Sequence, residues 1–396
     1  MPSLPSPSLE AQAHSERLTE RLKQQVQQQG WISFAEFMHH ALYEPELGYY
    51  VSGSRKLGAK GDFVTAPEIS SSFSECLALQ CQQIFSALDA PSILEFGAGS
   101  GVMAADILLS LERAGSLPQA YLILEVSPDL QERQQQTLQE KCPHLLSSVL
   151  WLQHWPKNFE GVVLANEVLD AMPVHCFEIQ NGKIVENGVM VDGGEFIWQA
   201  KNATPAQAAI QERLDPSLHC DDRGEINENL FIEGYSSEIC LAIKPWLEAL
   251  YSSMSRGVVL LVDYGFPERE YYHPDRDQGT LMCHYRHYAH TDPFLYVGLQ
   301  DITAHVDFTA VAKAAVEAGF KIIAYTNQAN FLMSLGILSN ADTAALDIRQ
   351  NYKHAQSLKK LLLPSEMGEL FKVIALQKNL EITLQGFRLS DDKRRL

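Results

Sequence analysis

Ile93-Leu94-Glu95-Phe96-Gly97-Ala98-Gly99-Ser100-Gly101 is the run that decides the fold of this chain. A short apolar stretch ends in an acid, glycines follow at alternate positions, and a helical pattern opens at Val102. The pattern predicts a strand, a tight turn and a helix start. Glycine lets backbone N–H groups approach a ligand where a Cβ would collide, and a helix N-terminus adds a weak positive potential. A dinucleotide site wants G-x-G-x-x-G. Here the third glycine comes one residue early, and Glu95 would repel a pyrophosphate. A carboxylate at the mouth of that strand suits a ligand with an ammonium group and a cationic centre, and S-adenosylmethionine has both. The competing readings are a nicotinamide dinucleotide and a plain structural turn.

Outward from this run the chain alternates. Strands are expected at 92–96, 120–125, 149–152, 161–165 and 257–263, and helices near 102–114 and 128–140. That order predicts an α/β fold with a parallel sheet covered on both faces. Upstream, 9–29 reads as a polar, Gln-rich helix. Another helix spans the apolar spacing of Ile32 to Leu42, with Ser33 and Glu36 as a capping box. Downstream, 172–256 is too long for a simple crossover. It holds a hairpin, Cys176–Gln180 and Lys183–Val191, around Asn181-Gly182, then helices near 205–213 and 236–254. Residues 266–306 show little periodicity and read as a lid. A helix at 307–318, a strand at 320–326, helices within 328–362 and a strand at 370–377 complete the pattern. The resulting division is 1–80 as an N-terminal region over the site, 81–171 with 257–378 as the cofactor-binding core, 172–256 as an inserted substrate-shaping region, 266–306 as the lid within the core, and 379–396 as a tail.

With 396 residues and 46% apolar content, the chain can bury a substantial core. Its net charge of −18 argues against a nucleic acid partner, which needs a basic surface, and favours a cationic protein segment. The seven cysteines are an odd number without a C-x-x-C pair, which fits a reducing compartment. The first residues have neither the basic nor the apolar region of a secretory signal. The longest aliphatic run, Val258 to Val262, is too short to span a bilayer. A cytoplasmic protein without membrane insertion is expected.

Glu125 ends the second strand, where a carboxylate can accept both hydroxyls of a ribose. Asn166-Glu167 follows the fourth strand, beside the glycine turn. Glu167 and Asp170 would share a helix turn and together suit a guanidinium. A helix start decorated with acids is the plainer explanation. In Lys60 to Glu68, Gly61 fixes an unusual backbone path, Thr65 can cover a cofactor and Asp62 can face it. Cys283, His284, His287 and His290 lack the ligand spacing of a zinc site, so no metal is expected. Ser100 is offset from the G-x-S-x-G of a nucleophile elbow, which leaves a hydrolase unsupported.

In these blocks the chain resembles the MidA-like family of class I S-adenosylmethionine-dependent methyltransferases. The resemblance runs from about Phe34 to Phe331 and rests on Tyr43–Val51, Gly61–Ser70, Ile93–Gly101, Ala165–His175, Leu261–Gly265 and Asp301–Phe308, in that order. It implies a seven-stranded sheet with an antiparallel last strand. It also implies that Glu95, Gly97, Gly99 and Gly101 hold the methionine end of the cofactor and Glu125 the ribose. Asn166, Glu167, Gly61 and Thr65 would lie around the methyl group. Mitochondrial members of this family are protein arginine methyltransferases that help assemble respiratory complex I. The resemblance thus implies a protein substrate, with a respiratory-complex subunit as a candidate, and a mitochondrial matrix location for eukaryotic members. Some relatives carry Pro and Arg where this chain has Ala98 and Ser100. The alternatives are a cofactor-binding assembly factor with little catalytic role, or a methyltransferase for a small molecule or tRNA. Glu167 and Asp170 are the expected catalytic acids, with Asp62 in reserve.

Overall fold

The computed structural model describes residues 4–52, 64–214, 232–339 and 347–396. The chain divides into two units, one made of 57–169, 244–266 and 306–396, the other of 1–56, 170–243 and 267–305.

The first unit is built on a central sheet. Its strands are β1 Ser92–Phe96, β2 Tyr121–Leu124, β3 Val149–Leu152, β4 Phe159–Asn166, β5 Met254–Phe266, β6 Lys321–Asn327 and β7 Phe371–Lys378. They lie in the order β3-β2-β1-β4-β5-β7-β6. Neighbours from β3 to β5 pair in parallel, whereas β7 is antiparallel to both β5 and β6. Val306–Asp307 adds a short eighth strand on the end of β5. The central strands read as continuous apolar runs because both faces are covered. Ile93, Ile123, Val162, Leu260 and Val373 are fully buried, each side chain contributing about 1.5–3 kcal/mol. Parallel neighbours need crossovers, and helices Val102–Arg113 and Pro128–Lys141 provide two of them. Ser127 caps the second, accepting from the Leu130 N–H, with Pro128 at its start.

The final residues are tied to the sheet. Leu380, Leu384 and Phe387 join the core. Asp391 accepts from the Tyr325 N–H at 3.1 Å, and the Asp392 N–H donates to the Tyr325 carbonyl at 2.6 Å.

The second unit contains a five-stranded antiparallel sheet. His175–Gln180 and Lys183–Asp192 form the expected hairpin, with Asn181 and Gly182 at φ of 52° and 67°. Helix Leu9–Gln29 buries Ser15, Leu18, Leu22 and Val26 along one face. Three expectations are corrected. Residues 236–239 are a strand paired with His175–Glu178, and helix begins only at Ile243. The 266–306 segment is not without regular structure: Met282–Tyr285, Tyr288–His290 and Asp301–Thr303 form a small antiparallel sheet. Its mixed polar and aromatic composition hides the alternation. The capping box at Ser33 is half made. Ser33 accepts from the Glu36 N–H, but the Glu36 carboxylate takes Gln25 and Gln29 amides from the first helix.

Candidate active site

The glycine run turns as its sequence demands. Gly97, Gly99 and Gly101 have φ of 61°, 53° and 81°, in the left-handed region that a β-branched residue would occupy only under strain. At Gly101 an added Cβ would also lie 2.9 Å from the Gln134 Cα. Gly101 is the N-cap of helix Val102–Arg113 and offers no side-chain acceptor to it. The Ser100 hydroxyl oxygen takes the Val102 N–H at 3.4 Å; a helix start of this kind offers its next backbone donors to a ligand.

Glu95 is enclosed, which corrects the expectation that it stands at the mouth of the strand. It is the penultimate residue of β1 and 1% exposed, and its Oε2 accepts from the Tyr121 hydroxyl at 2.7 Å. Burial pushes its carboxyl up to about 7, against the Tyr121 hydrogen bond and with help from the Glu125 charge. Glu125, at the end of β2, is held on both oxygens. Oε1 accepts from the Ser127 N–H at 3.0 Å and Oε2 from the Gln134 amide at 3.1 Å.

Gln134 is the residue that sequence reasoning missed. It is fully buried. Its Nε2 donates to the Gly99 carbonyl at 3.1 Å as well as to Glu125, and its Oε1 accepts from the Trp151 indole at 2.9 Å. One amide thus ties the glycine turn, the acid on β2 and the edge of the sheet together. The run Gln131 to Gln136 gave no signal separating this glutamine from its exposed neighbours.

Upstream, Thr65 opens helix Ala66–Ile69. That helix carries Glu68, whose carboxylate accepts from the Ser100 hydroxyl within the glycine turn. Gly61 and Asp62 lie outside the described residues.

The segment after β4 is a bend, so Glu167 and Asp170 do not share a helix turn. The reason lies in two anchors. The Glu167 N–H donates to the Val262 carbonyl at 2.9 Å, and the Leu169 N–H donates to Asp263 Oδ2 at 2.9 Å. Asp263, in the LVDYG block, thus takes a backbone donor that a helix would have used. Glu167 adopts φ of 53°, a conformation that costs a non-glycine residue about 1–3 kcal/mol and clusters at functional positions. Val168 packs within reach of Gly97, 3.3 Å from where a Cβ would stand, which puts the bend beside the turn. Asn166 donates to Glu167 Oε1 at 3.0 Å, while its Oδ1 is buried without a hydrogen-bond partner. A buried acceptor left open is costly, which makes Asn166 a candidate to receive a ligand donor.

In the other unit, Asp170 is buried and its carbonyl accepts from the Ala304 N–H. Nearby chemistry comes from distant segments. The Tyr50 hydroxyl donates to Asp301 Oδ1 at 2.8 Å, and the Tyr43 and Tyr50 rings stack with centroids 5.4 Å apart. Burial, then Asp301, holds the Tyr50 hydroxyl well above its ordinary value. Cys283, His284 and His290 lie on a hairpin turned by Arg286 and His287. No group of three or more possible metal ligands gathers among the described residues. No described helix is long and apolar enough to cross a membrane.

A family model described as "Putative S-adenosyl-L-methionine-dependent methyltransferase" matches residues 76–326. The chain belongs to this methyltransferase family. A superfamily member and candidate methyl transferase of Burkholderia thailandensis, crystallised with S-adenosyl-homocysteine, is 40% identical with a TM-score of 0.91 over 100% of both chains. The mitochondrial protein arginine methyltransferase NDUFAF7 of Homo sapiens is 30% identical, covering 94% of this chain and 86% of its own length. The Mus musculus protein of the same name is also 30% identical over 92% of this chain and 86% of its own. The methyltransferase uses S-adenosylmethionine, and its class I sheet is the one described above. The residues fit that cofactor: a turn that only glycine builds, a fixed carboxylate at the end of β2, and an open buried acceptor at Asn166.

Proposed function

We propose that the methyltransferase modifies arginine side chains of a protein. The observation that carries this reading is Glu167, an acid held in a strained left-handed conformation beside the glycine turn. Relatives named as protein arginine methyltransferases, similar over most of their length, support it.

When bound, the cofactor supplies an electrophilic methyl group on a sulfonium. The chain's own residues position. Gly97, Gly99 and Gly101 are proposed to hold the methionine end through the close backbone approach their turn allows, with the Glu95 carboxyl beneath them. Glu125 takes the ribose hydroxyls, oriented by Ser127 and Gln134. Asn166, Thr65 and Gly61 are proposed neighbours of the cofactor. Arginine is a poor nucleophile because its charge is delocalised and its pKa exceeds ~12. A carboxylate that accepts two guanidinium hydrogens localises charge on nitrogens that do not react and frees the lone pair of the third. Glu167 is the proposed carboxylate. Asp170 and Asp62 are proposed acids for the same group, each tested by its own Asn substitution. The partner is a protein, with a respiratory-complex subunit as the proposed target by likeness to the mitochondrial relatives. The six described cysteines are free, which favours a reducing compartment, proposed here as the cytoplasm.

Glu167→Gln tests the reading. Methyl transfer to a protein substrate should fall at least about tenfold with S-adenosyl-homocysteine affinity unchanged. A wild-type rate would remove Glu167 from the mechanism.

A further inference from the structure

Two carboxylates lie against the glycine turn, and they differ in access. Glu95 is sealed under the turn with one oxygen taken by Tyr121. Near neutral pH its raised pKa leaves it partly protonated, which weakens it as a partner for an ammonium. Glu68 is the more accessible of the two. It is half-buried on the short helix Ala66–Ile69, and Ser100 fixes it to the turn by donating to its Oε1. That bond engages Oε1 and leaves Oε2 as a second acceptor on the same carboxylate. The helix is anchored from behind as well, since the Ser357 hydroxyl donates to the Ile69 carbonyl at 3.0 Å. Glu68 is thus a carboxylate fixed beside Ser100 in the glycine turn.

We propose that Glu68, not Glu95, is the carboxylate that meets the α-ammonium of the cofactor's methionine moiety. The division is chemical. The glycine turn and the helix start beyond it suit the α-carboxylate, and an adjacent acid suits the ammonium two bonds away. Ser100 is then a positioning residue, since it acts by orienting Glu68. The proposal rests on the cofactor and not on the arginine reading, so either can fail alone.

Calorimetry with two probes tests it: S-adenosyl-homocysteine, and its deamino analogue, which lacks only the ammonium. Wild type should prefer the amine-bearing ligand. Glu68→Gln should weaken S-adenosyl-homocysteine by about 10- to 100-fold, the range of a charge-assisted hydrogen bond. The deamino analogue should bind the variant as it binds wild type, which also shows that the site is folded. Glu68→Asp keeps the charge and should retain a preference for the amine. Ser100→Ala should weaken S-adenosyl-homocysteine a few-fold and leave the deamino analogue as in wild type. Equal losses for both ligands in Glu68→Gln would make Glu68 a structural clasp and overturn the proposal. So would an unchanged preference in Glu68→Gln that disappears in Glu95→Gln.

Discussion

The glycine turn and the Asp301 cluster are built in opposite ways. The turn comes from nine consecutive residues whose conformation is set by their own chemistry, with three glycines at positive φ. The cluster of Tyr43, Tyr50 and Asp301 joins segments separated by about 250 residues. Local chemistry makes the first robust in design and fragile to a single methyl group. Tertiary assembly makes the second tolerant of local change but dependent on packing. The turn is the proposed seat of the cofactor, and substitutions there should act on binding. The second unit should affect transfer to the protein substrate.

Gly99→Val should have the largest effect. A β-branched residue at φ of 53° is strained, and its bulk displaces the ligand. S-adenosyl-homocysteine binding by calorimetry should weaken by more than about 100-fold, on the order of 3 kcal/mol or more. Unchanged affinity would remove the turn from the site.

Asp170→Asn probes the other unit. The turnover number should fall by about 10- to 100-fold while cofactor affinity stays within twofold. If both fell together, the separation between the two regions would be lost.

Gln134→Met sharpens what holds the turn. It keeps volume but removes the amide, and with it the hydrogen bonds to the Gly99 carbonyl, Glu125 Oε2 and the Trp151 N–H. Stability should drop by about 2 kcal/mol in urea unfolding. Cofactor affinity should drop by about tenfold, with the turnover number at saturation unchanged. A loss of stability with no change in affinity would make Gln134 part of the core alone.

The smallest effect is one of pH. The Glu95 carboxyl, raised to about 7 by burial, holds its proton in the folded state while the unfolded state releases it near 4.5. Its contribution is fully present below that lower value and is lost as pH rises through 7. The slope is about 1 kcal/mol per pH unit in this window. Glu95→Gln should flatten it. Parallel profiles for wild type and variant would mean that Glu95 is already ionised under the turn.

What the sequence revealed follows the same division. β1, the turn and helix Val102–Arg113 were legible because each residue's neighbours in space are its neighbours in sequence. The Asn181-Gly182 hairpin was legible for the same reason. The helix proposed across Glu167 and Asp170 was not correct, because Asp263, almost a hundred residues on, takes the Leu169 N–H. The strand at 236–239 depends on pairing with His175–Glu178, which no local pattern announces. Glu95 was recognised as an acid at the end of a strand, but its burial depends on Tyr121 from the neighbouring strand. Gln134 stands in a glutamine-rich run where composition cannot single it out.

The most direct test is transfer itself. Purified protein, trideuteromethyl S-adenosylmethionine and an extract from cells lacking this gene should yield labelled methylarginine by peptide mass spectrometry, and Gly99→Val should yield none. Label found only on small molecules or nucleic acid, or equal label from the variant, would contradict the account.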